Sequence, residues 1–328
     1  MLDIIIPQYM EDEHTIKNLL DSIMNQKNID FNDIQVTIIN DASTCILSNE
    51  FLMNYEKLNI VYLRNDKNLG PGLTRQRGID STDEPFIMFM DADDEYINSN
   101  VLSRILDYLK KYNPNYLVTN IMVEVYLDNQ KSLRLRKREE TYPWMHGKVY
   151  KRFYLKEHNL RFHPNVRHLE DSYFTSCLLG TLNKEDIHYF DIVSYLWKMN
   201  ELSLTRKKSK YNYMVDTFDD FISCARYVYD YLTSIKSKMR FPYFIQSTLG
   251  IYTVLNSNLF DFDDLKDKRE AYLKDLYDYV IKKKNIYKLV SEDVLLKLYE
   301  KEIRELKERN KLREIYKGLN EFFNEFLI

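Results

Sequence analysis

The chain has 328 residues, of which 45% are hydrophobic and 30% are charged, and its formal net charge is −3. This composition is typical of a globular protein, and the length favours one large domain with an appended one. The small net charge excludes a chain-wide basic field for non-specific nucleic-acid binding but is compatible with local basic patches.

Cysteine usage and the N-terminus indicate the compartment. Cys45, Cys177 and Cys224 are far apart and form neither a Cys-x-x-Cys pair nor a metal-binding spacing. They indicate free thiols in a reducing compartment. No apolar run approaches the roughly 20 residues that cross a bilayer, and the N-terminus lacks the basic region of a signal peptide. We therefore expect a cytoplasmic protein without a transmembrane segment.

The first hundred residues alternate short apolar runs with helical patterns. The runs LDIIIP, IQVTIIND, NIVYLRND and FIMFM predict buried strands, and HTIKNLLDSIMNQ and NVLSRILDYLKKY have helical spacing. The Gly-containing turn KNLGPGLTRQRGID leads into a further helix. This order predicts an α/β fold with an open, mostly parallel sheet flanked by helices. Because ligands of such sheets bind outside the carboxyl ends of the strands, the polar groups that follow these strands should converge on one crevice.

Three aspartates follow the strand FIMFM. Asp91 and Asp93 present two hard oxygen ligands of the kind that Mg²⁺ and Mn²⁺ prefer and usually share with substrate phosphates. Asp94 and its neighbours could instead cap a helix that begins near Ile97. The pattern alone leaves both interpretations open, because Asp-x-Asp occurs often by chance.

The order of four motifs resembles that of the family 2 glycosyltransferases, which have the Rossmann-like GT-A fold. The motifs are IIIPQY, IINDAS, NLGPGLTRQRG and MDADD. Downstream, MHGKVYKRFYLKEHNLRFHPNVRHLEDSYF is similar to the family segment that ends in a Glu-Asp pair, and YLWKMNELSLTR is similar to the segment that follows it. The resemblance reaches about residue 206 and is to bacterial or phage enzymes that build polysaccharide or wall polymers. The chain departs mildly from the family pattern at four positions, which are Asn40, Ala42, Gln76 and Lys198.

The resemblance implies a set of residues that bind a nucleotide-sugar donor. Asp41 should accept a hydrogen bond from the imide N–H of a uracil-type base, and Pro7 and Tyr9 should wall that base. Arg75 should approach the base or the phosphates. The complete set is Pro7, Tyr9, Asp41, Asn68, Gly70, Arg75, Asp91 and Lys198.

The resemblance also separates the three aspartates and supplies a catalytic base. Asp93 should bind the Mn²⁺ or Mg²⁺ that neutralises the diphosphate, Asp91 should contact ribose or the metal, and Asp94 should only cap a helix. Asp171, beside Glu170, should take the proton of an acceptor hydroxyl as that oxygen attacks the sugar in line, with inversion. The alternative is that Asp171 only begins the helix DSYFTSCLL.

Other polar residues in the downstream segment have weaker assignments. His146 could be a metal ligand or meet the acceptor, but a lone histidine is more typical of a packing or surface position. Trp144 could stack on a sugar or belong to the core. A closing loop could bring four further side chains to the phosphates, although surface placement is equally compatible with the pattern: Lys148, Lys198, Ser203 and Thr205.

The composition changes near residue 206, after which Lys, Glu, Tyr and Leu recur at helical spacing. We predict a nucleotide-sugar-binding catalytic domain at residues 1–205 and an α-helical C-terminal region at 206–328. The role of this helical region is open. It could form a homo-oligomer or lie on a membrane surface.

The leading hypothesis is an inverting, metal-dependent glycosyltransferase that uses a nucleotide-diphosphate sugar, UDP-linked by preference. Its acceptor would be a hydroxyl of a polysaccharide, a wall polymer or another molecule, and a nucleic-acid acceptor is possible but unsupported. A nucleotidyltransferase is one alternative, although IIIPQYMEDE lacks the Gly-rich basic loop that holds a triphosphate. A catalytically inactive sugar-nucleotide-binding scaffold is another, and the presence of Asp93 and Asp171 counts against it.

Overall fold

A computed structural model describes residues 1–127, 130–137, 140–141, 144–200, 216–255 and 265–283. The chain forms two compact units, Met1–Ser203 and Leu204–Ile328. The expected domain limits at 1–205 and 206–328 stay a prediction, because residues 201–215 lie outside the described part of the chain. Ser203 and Thr205, which were expected near the phosphates, lie there too.

The first unit is built on one mixed sheet, with nine strands among the described residues. In chain order they are β1 (Leu2–Gln8), β2 (Ile34–Asn40), β3 (Asn59–Arg64), β4 (Phe86–Phe89), β5 (Glu95–Tyr96), β6 (Tyr116–Leu127), β7 (Gln130–Arg136), β8 (Lys148–Lys151) and β9 (Ile187–Trp197). Their order across the sheet is β3-β2-β1-β4-β8-β6-β9-β5, and β7 pairs with β6.

Six α-helices accompany the sheet in the described part of this unit. They are α1 (Glu13–Met24), α2 (Asn49–Met53), α3 (Pro71–Asp80), α4 (Val101–Tyr112), α5 (Arg152–Glu157) and α6 (Glu170–Leu179). The buried stripe of α1, which includes Leu19 and Ile23, joins Ile4 of β1 and Ile105 of α4 in the main core cluster. On the other face of the sheet, α3 packs so closely against β1 that a Cβ added at Gly78 would lie 2.5 Å from the Ile5 side chain.

The sheet has two parts with different pairing. β3, β2, β1 and β4 are all parallel, as the alternation of strands and helices predicted. Beyond β4, the pairs β4–β8, β8–β6, β6–β7 and β9–β5 are antiparallel, and β6–β9 is parallel. The predicted α/β class with flanking helices is confirmed. The antiparallel pairs were not foreseen. Three of them, β4–β8, β8–β6 and β9–β5, join strands that are not consecutive in the chain, whereas β6–β7 is a hairpin.

The described part of the second unit is helical, as predicted. It contains α7 (Phe218–Ser234), α8 (Arg240–Leu255) and α9 (Lys266–Lys282). These helices bury a core of their own that includes Phe218, Phe244 and Val280. Among the residues that the structure describes, none of the helices is both long enough and apolar enough to cross a bilayer.

Candidate active site

Asp41 follows β2 and fixes the loop that precedes α3. Its buried carboxylate accepts hydrogen bonds from the Asn65 side chain at 2.7 Å and from the backbone N–H groups of Leu69 and Gly70 at 2.8 Å. Gly70 has a φ of +83°, which favours glycine, and α3 begins at the next residue, Pro71. Asp41 therefore orders the loop that precedes α3, and its expected contact with a base stays a prediction.

A buried amide pair beneath this loop was missed by sequence reasoning. Asn40 donates to the Cys45 carbonyl at 2.8 Å and to Gln8 Oε1 at 3.1 Å, and its own Oδ1 accepts from the Ser43 N–H at 2.9 Å. Gln8 donates to the same Cys45 carbonyl at 2.8 Å. An amide, unlike a carboxylate, supplies the donors that this carbonyl needs. The Asn40 amide thus supplies both the donors and the acceptor that the neighbouring polar groups require.

The predicted donor residues lie around the same strand ends. Pro7 is in β1 opposite Ile39, and Tyr9 follows β1 with 51% of its side chain exposed. Asn68 accepts a hydrogen bond from Arg167 at 2.8 Å. Tyr9 is exposed at the carboxyl edge of the sheet, where it is free to stack on a ligand.

Arg75 joins the two acidic motifs of the chain. From α3, one of its terminal nitrogens contacts Asp91 at 2.7 Å and the other contacts Glu170 at 2.8 Å. The side chain is only 9% exposed, and its Nε has no hydrogen-bond partner among the described residues. Both terminal nitrogens thus hold carboxylates, and the expected approach of Arg75 to the base or the phosphates stays a prediction.

Asp91, Asp94 and His146 form the cluster best suited to a metal ion among the described residues. One potential ligand atom from each lies within 4.8 Å of the others. His146 Nε2 is 3.1 Å from Asp91 Oδ2, and the imidazole stacks on Trp197 at 5.2 Å with its Nδ1 buried. Neighbouring Arg75 and His146 lower the pKa of Asp91, although burial opposes this. Sequence reasoning preferred a packing or surface role for His146, but the structure brings it to the carboxylates.

The role expected for Asp94 is wrong. Helix α4 begins at Val101 with Asn100 at its N-cap, so Asp94 caps no helix. Its fully buried carboxylate instead accepts from the Tyr195 hydroxyl at 2.5 Å and from the Lys198 backbone N–H at 2.7 Å. Burial and the charges of Asp91 and Asp93 raise the pKa of Asp94 well above its usual value. This repulsion would be relieved by a cation beside the three aspartates.

Asp93, the predicted metal ligand, lies beside this cluster but outside it. Its Oδ2 accepts from the Asn200 side chain at 2.7 Å, and burial raises its pKa. Glu11, which sequence reasoning did not single out, belongs to the same acidic region. Burial, with Asp93 and Asp91 as further causes, raises the pKa of Glu11 to about 7.

The Glu-Asp pair begins α6, as the alternative reading of this motif anticipated. Leu169 precedes it in the left-handed region at φ +63°, a strained backbone that turns the chain sharply into the helix. Glu170 points to Arg75, whereas Asp171 Oδ1 accepts from the Ser172 N–H at 2.7 Å. Burial lowers the pKa of Lys148, and the charge of Asp171 opposes this lowering in part. The role of Asp171 as a base stays a prediction.

Lys148 lies in the interior, so a surface placement is wrong, and its expected approach to the phosphates stays a prediction. It is 1% exposed, and its ammonium donates to the carbonyls of Thr141, at 2.8 Å, and Trp144. It thereby ties down the segment that carries His146. Burial lowers its pKa to about 7. Lys198 contributes its backbone N–H to Asp94, and its side chain pairs with Glu95.

Comparison with known proteins agrees with this architecture. The family model for glycosyl transferase family 2 matches residues 3–173, which is just over half of the chain. The chain belongs to glycosyl transferase family 2. The resemblance that the four motifs indicated is thus confirmed.

Relatives in this family include bacterial wall-polymer proteins. A teichoic acid poly(glycerol phosphate) polymerase from Staphylococcus epidermidis is 36% identical over 115 residues, which are 34% of this chain and 15% of the relative. A poly(ribitol-phosphate) beta-glucosyltransferase from Bacillus spizizenii is 25% identical over 185 residues, or 53% of this chain and 28% of the relative. The chain thus spans under a third of the length of these two family members.

The fold also matches solved structures. The structure of S. aureus TarS 1–349 in complex with UDP superposes with a TM-score of 0.57 at 19% identity, covering 80% of this chain and 72% of that one. The UDP-GlcNAc complex of the same protein gives a TM-score of 0.55 at 18% identity, covering 84% and 89%. At this level of identity the likeness establishes the fold.

Proposed function

We propose that this protein is an inverting, metal-dependent glycosyltransferase that moves a sugar from a UDP-linked donor to a hydroxyl of a wall polymer or polysaccharide. The observation that carries the proposal is the Asp91–Arg75–Glu170 bridge. It holds the aspartates after β4 against the start of α6, so that donor-binding and proton-accepting carboxylates belong to one site. Membership of glycosyl transferase family 2 supports the same reaction class.

The residues after β4 fit a divalent cation. Asp91 and Asp94 offer hard carboxylate oxygens, which suit Mg²⁺ and Mn²⁺, and His146 adds an imidazole nitrogen, which is more typical of transition metals. This mixture favours Mn²⁺ over Mg²⁺. Asp93 would be a further ligand from the same turn. When bound, the cation would neutralise the diphosphate that leaves the sugar.

The chain's own residues account for the remaining steps. Asp41 keeps the loop at residues 65–70 in place beneath the donor, and exposed Tyr9 stacks on its base. Asp171 accepts the proton of the acceptor hydroxyl as that oxygen attacks the sugar carbon, and the bond from this carbon to the diphosphate breaks on the opposite side. Glu170, which is held by Arg75, positions Asp171 at the first turn of α6.

The donor and acceptor assignments draw on the relatives. TarS was crystallised with UDP and with UDP-GlcNAc, which supports a uridine donor for a chain of the same fold. Two relatives are named for poly(glycerol phosphate) and poly(ribitol-phosphate), which supports a polyol-phosphate polymer as acceptor.

An assay of UDP release tests this proposal. UDP-glucose and UDP-GlcNAc are each incubated with the protein and Mn²⁺, with poly(ribitol phosphate), poly(glycerol phosphate) or no acceptor. We expect acceptor-dependent UDP release that EDTA abolishes. UDP binding without release under any condition would instead support a binding scaffold, and pyrophosphate release from UTP and a sugar 1-phosphate would support a nucleotidyltransferase.

A further inference from the structure

In the β6–β7 hairpin, leucines of β7 face away from the core and arginines lie on the core face, which is the reverse of the usual pattern. Its register places Leu133 opposite Glu124 and Arg134 opposite Val123. Residues that pair across two strands lie on the same face of the sheet. Val123 is 5% exposed and belongs to the main core, so Arg134 is on the core face and Leu133 is on the opposite one. A half-buried strand normally does the reverse.

The outward face of this hairpin is apolar and exposed. Leu133 is 57% exposed and Leu135 is 41% exposed. Tyr126, on the same face opposite Lys131, is 46% exposed. Large apolar side chains grouped on an exposed strand indicate an interaction surface, because nothing in the folding of the strand itself requires them there. Tyr126, Leu133 and Leu135 are called the hairpin patch below.

Four cations lie within seven residues around the hairpin patch. They are Lys131, Arg134, Arg136 and Lys137. Lys131 has an acidic partner in Glu124, and Arg136 has one in Glu140. Arg134 and Lys137 are both exposed and have no ion-pair partner among the described residues. Arg136, and to a smaller extent Arg134, lower the pKa of Glu140. The hairpin therefore combines exposed apolar side chains with an excess of positive charge.

We propose that the β6–β7 hairpin docks on the surface of a bilayer that contains anionic lipid. Tyr126, Leu133 and Leu135 enter the interface, where tyrosine is favoured and leucine leaves water. Lys137, just past the end of β7, and Arg134, which is exposed on the other face of this edge strand, reach the lipid phosphates, since long basic side chains extend beyond the strand that carries them. This inference is independent of the proposed sugar transfer.

The charges of the hairpin favour a bilayer over a second copy of the chain. β7 pairs only with β6 among the described residues, so a second copy could add through its free edge. That contact would bring two sets of like charges from residues 131–137 together, which destabilises strand pairing. An anionic bilayer is instead attracted by these same charges.

Docking through the hairpin would place the candidate active site close to the lipid. β6 continues past Val118, which pairs with Lys148 at the carboxyl edge of β4, and then forms the hairpin. Near its end Glu124 accepts from the Met199 N–H at 3.0 Å, and the next residue, Asn200, contacts Asp93. A substrate attached to the bilayer would therefore lie near the site.

Vesicle flotation of the full chain tests the inference. The wild type should float with vesicles of phosphatidylcholine and phosphatidylglycerol, more weakly as salt rises, and much less with phosphatidylcholine alone. Leu133→Ser with Leu135→Ser should lower partitioning more than about tenfold. Arg134→Gln and Lys137→Gln should each lower it about fivefold on anionic vesicles only.

Matched variants separate the hairpin from general surface effects. Phe153→Ser removes a still more exposed apolar side chain, at 68%, from α5, and Lys57→Gln removes a cation elsewhere, so neither should change flotation. A tryptophan placed by Leu133→Trp should shift its emission to the blue with anionic vesicles, whereas Phe153→Trp should not. Thermal melting of each variant checks that the fold is intact.

Three results would overturn the inference. The first is failure of the wild type to float with anionic vesicles. The second is flotation that is unchanged in the Leu133→Ser, Leu135→Ser variant. The third is a dimer, found by sedimentation without lipid, that the same double variant converts to a monomer, because this would make the hairpin patch a contact between copies. Since UDP release is measured without vesicles, failure of the proposed function would appear separately.

Discussion

The two parts of the sheet build the candidate site in different ways. In the parallel part, the end of β2 supplies Asp41, whose carboxylate accepts hydrogen bonds from two backbone N–H groups and from the Asn65 side chain. In the mixed part, β9 and the segment before β8 surround the aspartates after β4 with Tyr195, His146 and Asn200. The parallel part thus holds a loop in place, whereas the mixed part brings carboxylates close together and changes their pKa values.

This difference has an electrostatic consequence. The pKa values of Asp93, Asp94 and nearby Glu11 are raised by burial and by the charge of Asp91, and the charge of Asp93 also raises those of Asp94 and Glu11. A cluster of this kind gains most from a bound cation. We therefore expect changes in the mixed part to alter metal binding and chemistry, and changes in the parallel part to alter donor affinity.

The largest expected effect belongs to Asp171→Asn. If Asp171 accepts the acceptor proton, transfer should fall by about 10²- to 10⁴-fold, because asparagine cannot take the proton. UDP affinity, measured by calorimetry with Mn²⁺, should change little. Asp80→Asn, which alters an exposed pair with Arg161, is the control. A large loss of UDP affinity in Asp171→Asn would move this residue to donor binding.

Arg75→Met breaks the bridge between the two motifs. It leaves Asp91 and Glu170 without their shared cation, and loss of one member of a buried ion pair costs about 3 to 5 kcal/mol. Urea unfolding should show this loss in the free energy of unfolding. Arg161→Met, in an exposed pair, should cost at most about 1 kcal/mol. Adding Glu170→Gln to Arg75→Met should recover part of the loss, and no recovery would contradict the bridge as its cause.

Lys148→Met should change how stability depends on pH. In the folded chain burial lowers the pKa of Lys148 to about 7, whereas the unfolded chain keeps this proton up to about pH 10.5. Between these values the unfolded state binds more protons, so the free energy of unfolding should rise with pH, by at most about 1.4 kcal/mol per unit. Urea unfolding at pH 7 to 10 should show this rise in the wild type and a flatter dependence in Lys148→Met. Equal slopes would contradict a lowered pKa.

The parallel part of the sheet and its motifs could be predicted from the sequence, because their information is local. Apolar runs ending in polar residues indicated the strands, and the motif NLGPGLTRQRG at residues 68–78 predicted Gly70 before α3 and Arg75 within it. Their positions in the fold are set locally, although the partners of Arg75, which are Asp91 and Glu170, lie 16 and 95 positions away.

The surroundings of the aspartates could not be predicted, because they depend on long-range pairing. Tyr195 reaches Asp94 across 101 positions, and His146 reaches Asp91 across 55. Neither contact leaves a pattern in a short window of sequence. One signal was available for Asp94: a third acidic residue directly after a buried strand, with no helical pattern until residue 101, is poorly explained as a cap.

Tyr195→Phe, which has the smallest expected effect, tests how the hydrogen bonds of Tyr195 affect the pKa and the metal affinity of the aspartates. The Tyr195 hydroxyl donates to Asp94 and accepts from the Asp91 N–H at 3.1 Å. Its loss leaves both groups without this partner, which should cost about 1 to 3 kcal/mol in the free energy of unfolding. The pKa of Asp94 should rise further, because the lost hydrogen bond lowers it. Mn²⁺ affinity, followed by electron paramagnetic resonance, should therefore fall most at low pH.

The chain offers a matched control for this change. Tyr150 on β8 is as deeply buried as Tyr195, but its hydroxyl has no hydrogen-bond partner among the described residues. Tyr150→Phe removes the same atom without breaking a contact, so it should leave stability unchanged or slightly higher. If both variants lost equal stability and Mn²⁺ affinity, the hydroxyl of Tyr195 would have no specific effect on the aspartates. The mixed part of the sheet would then not control their pKa values through Tyr195.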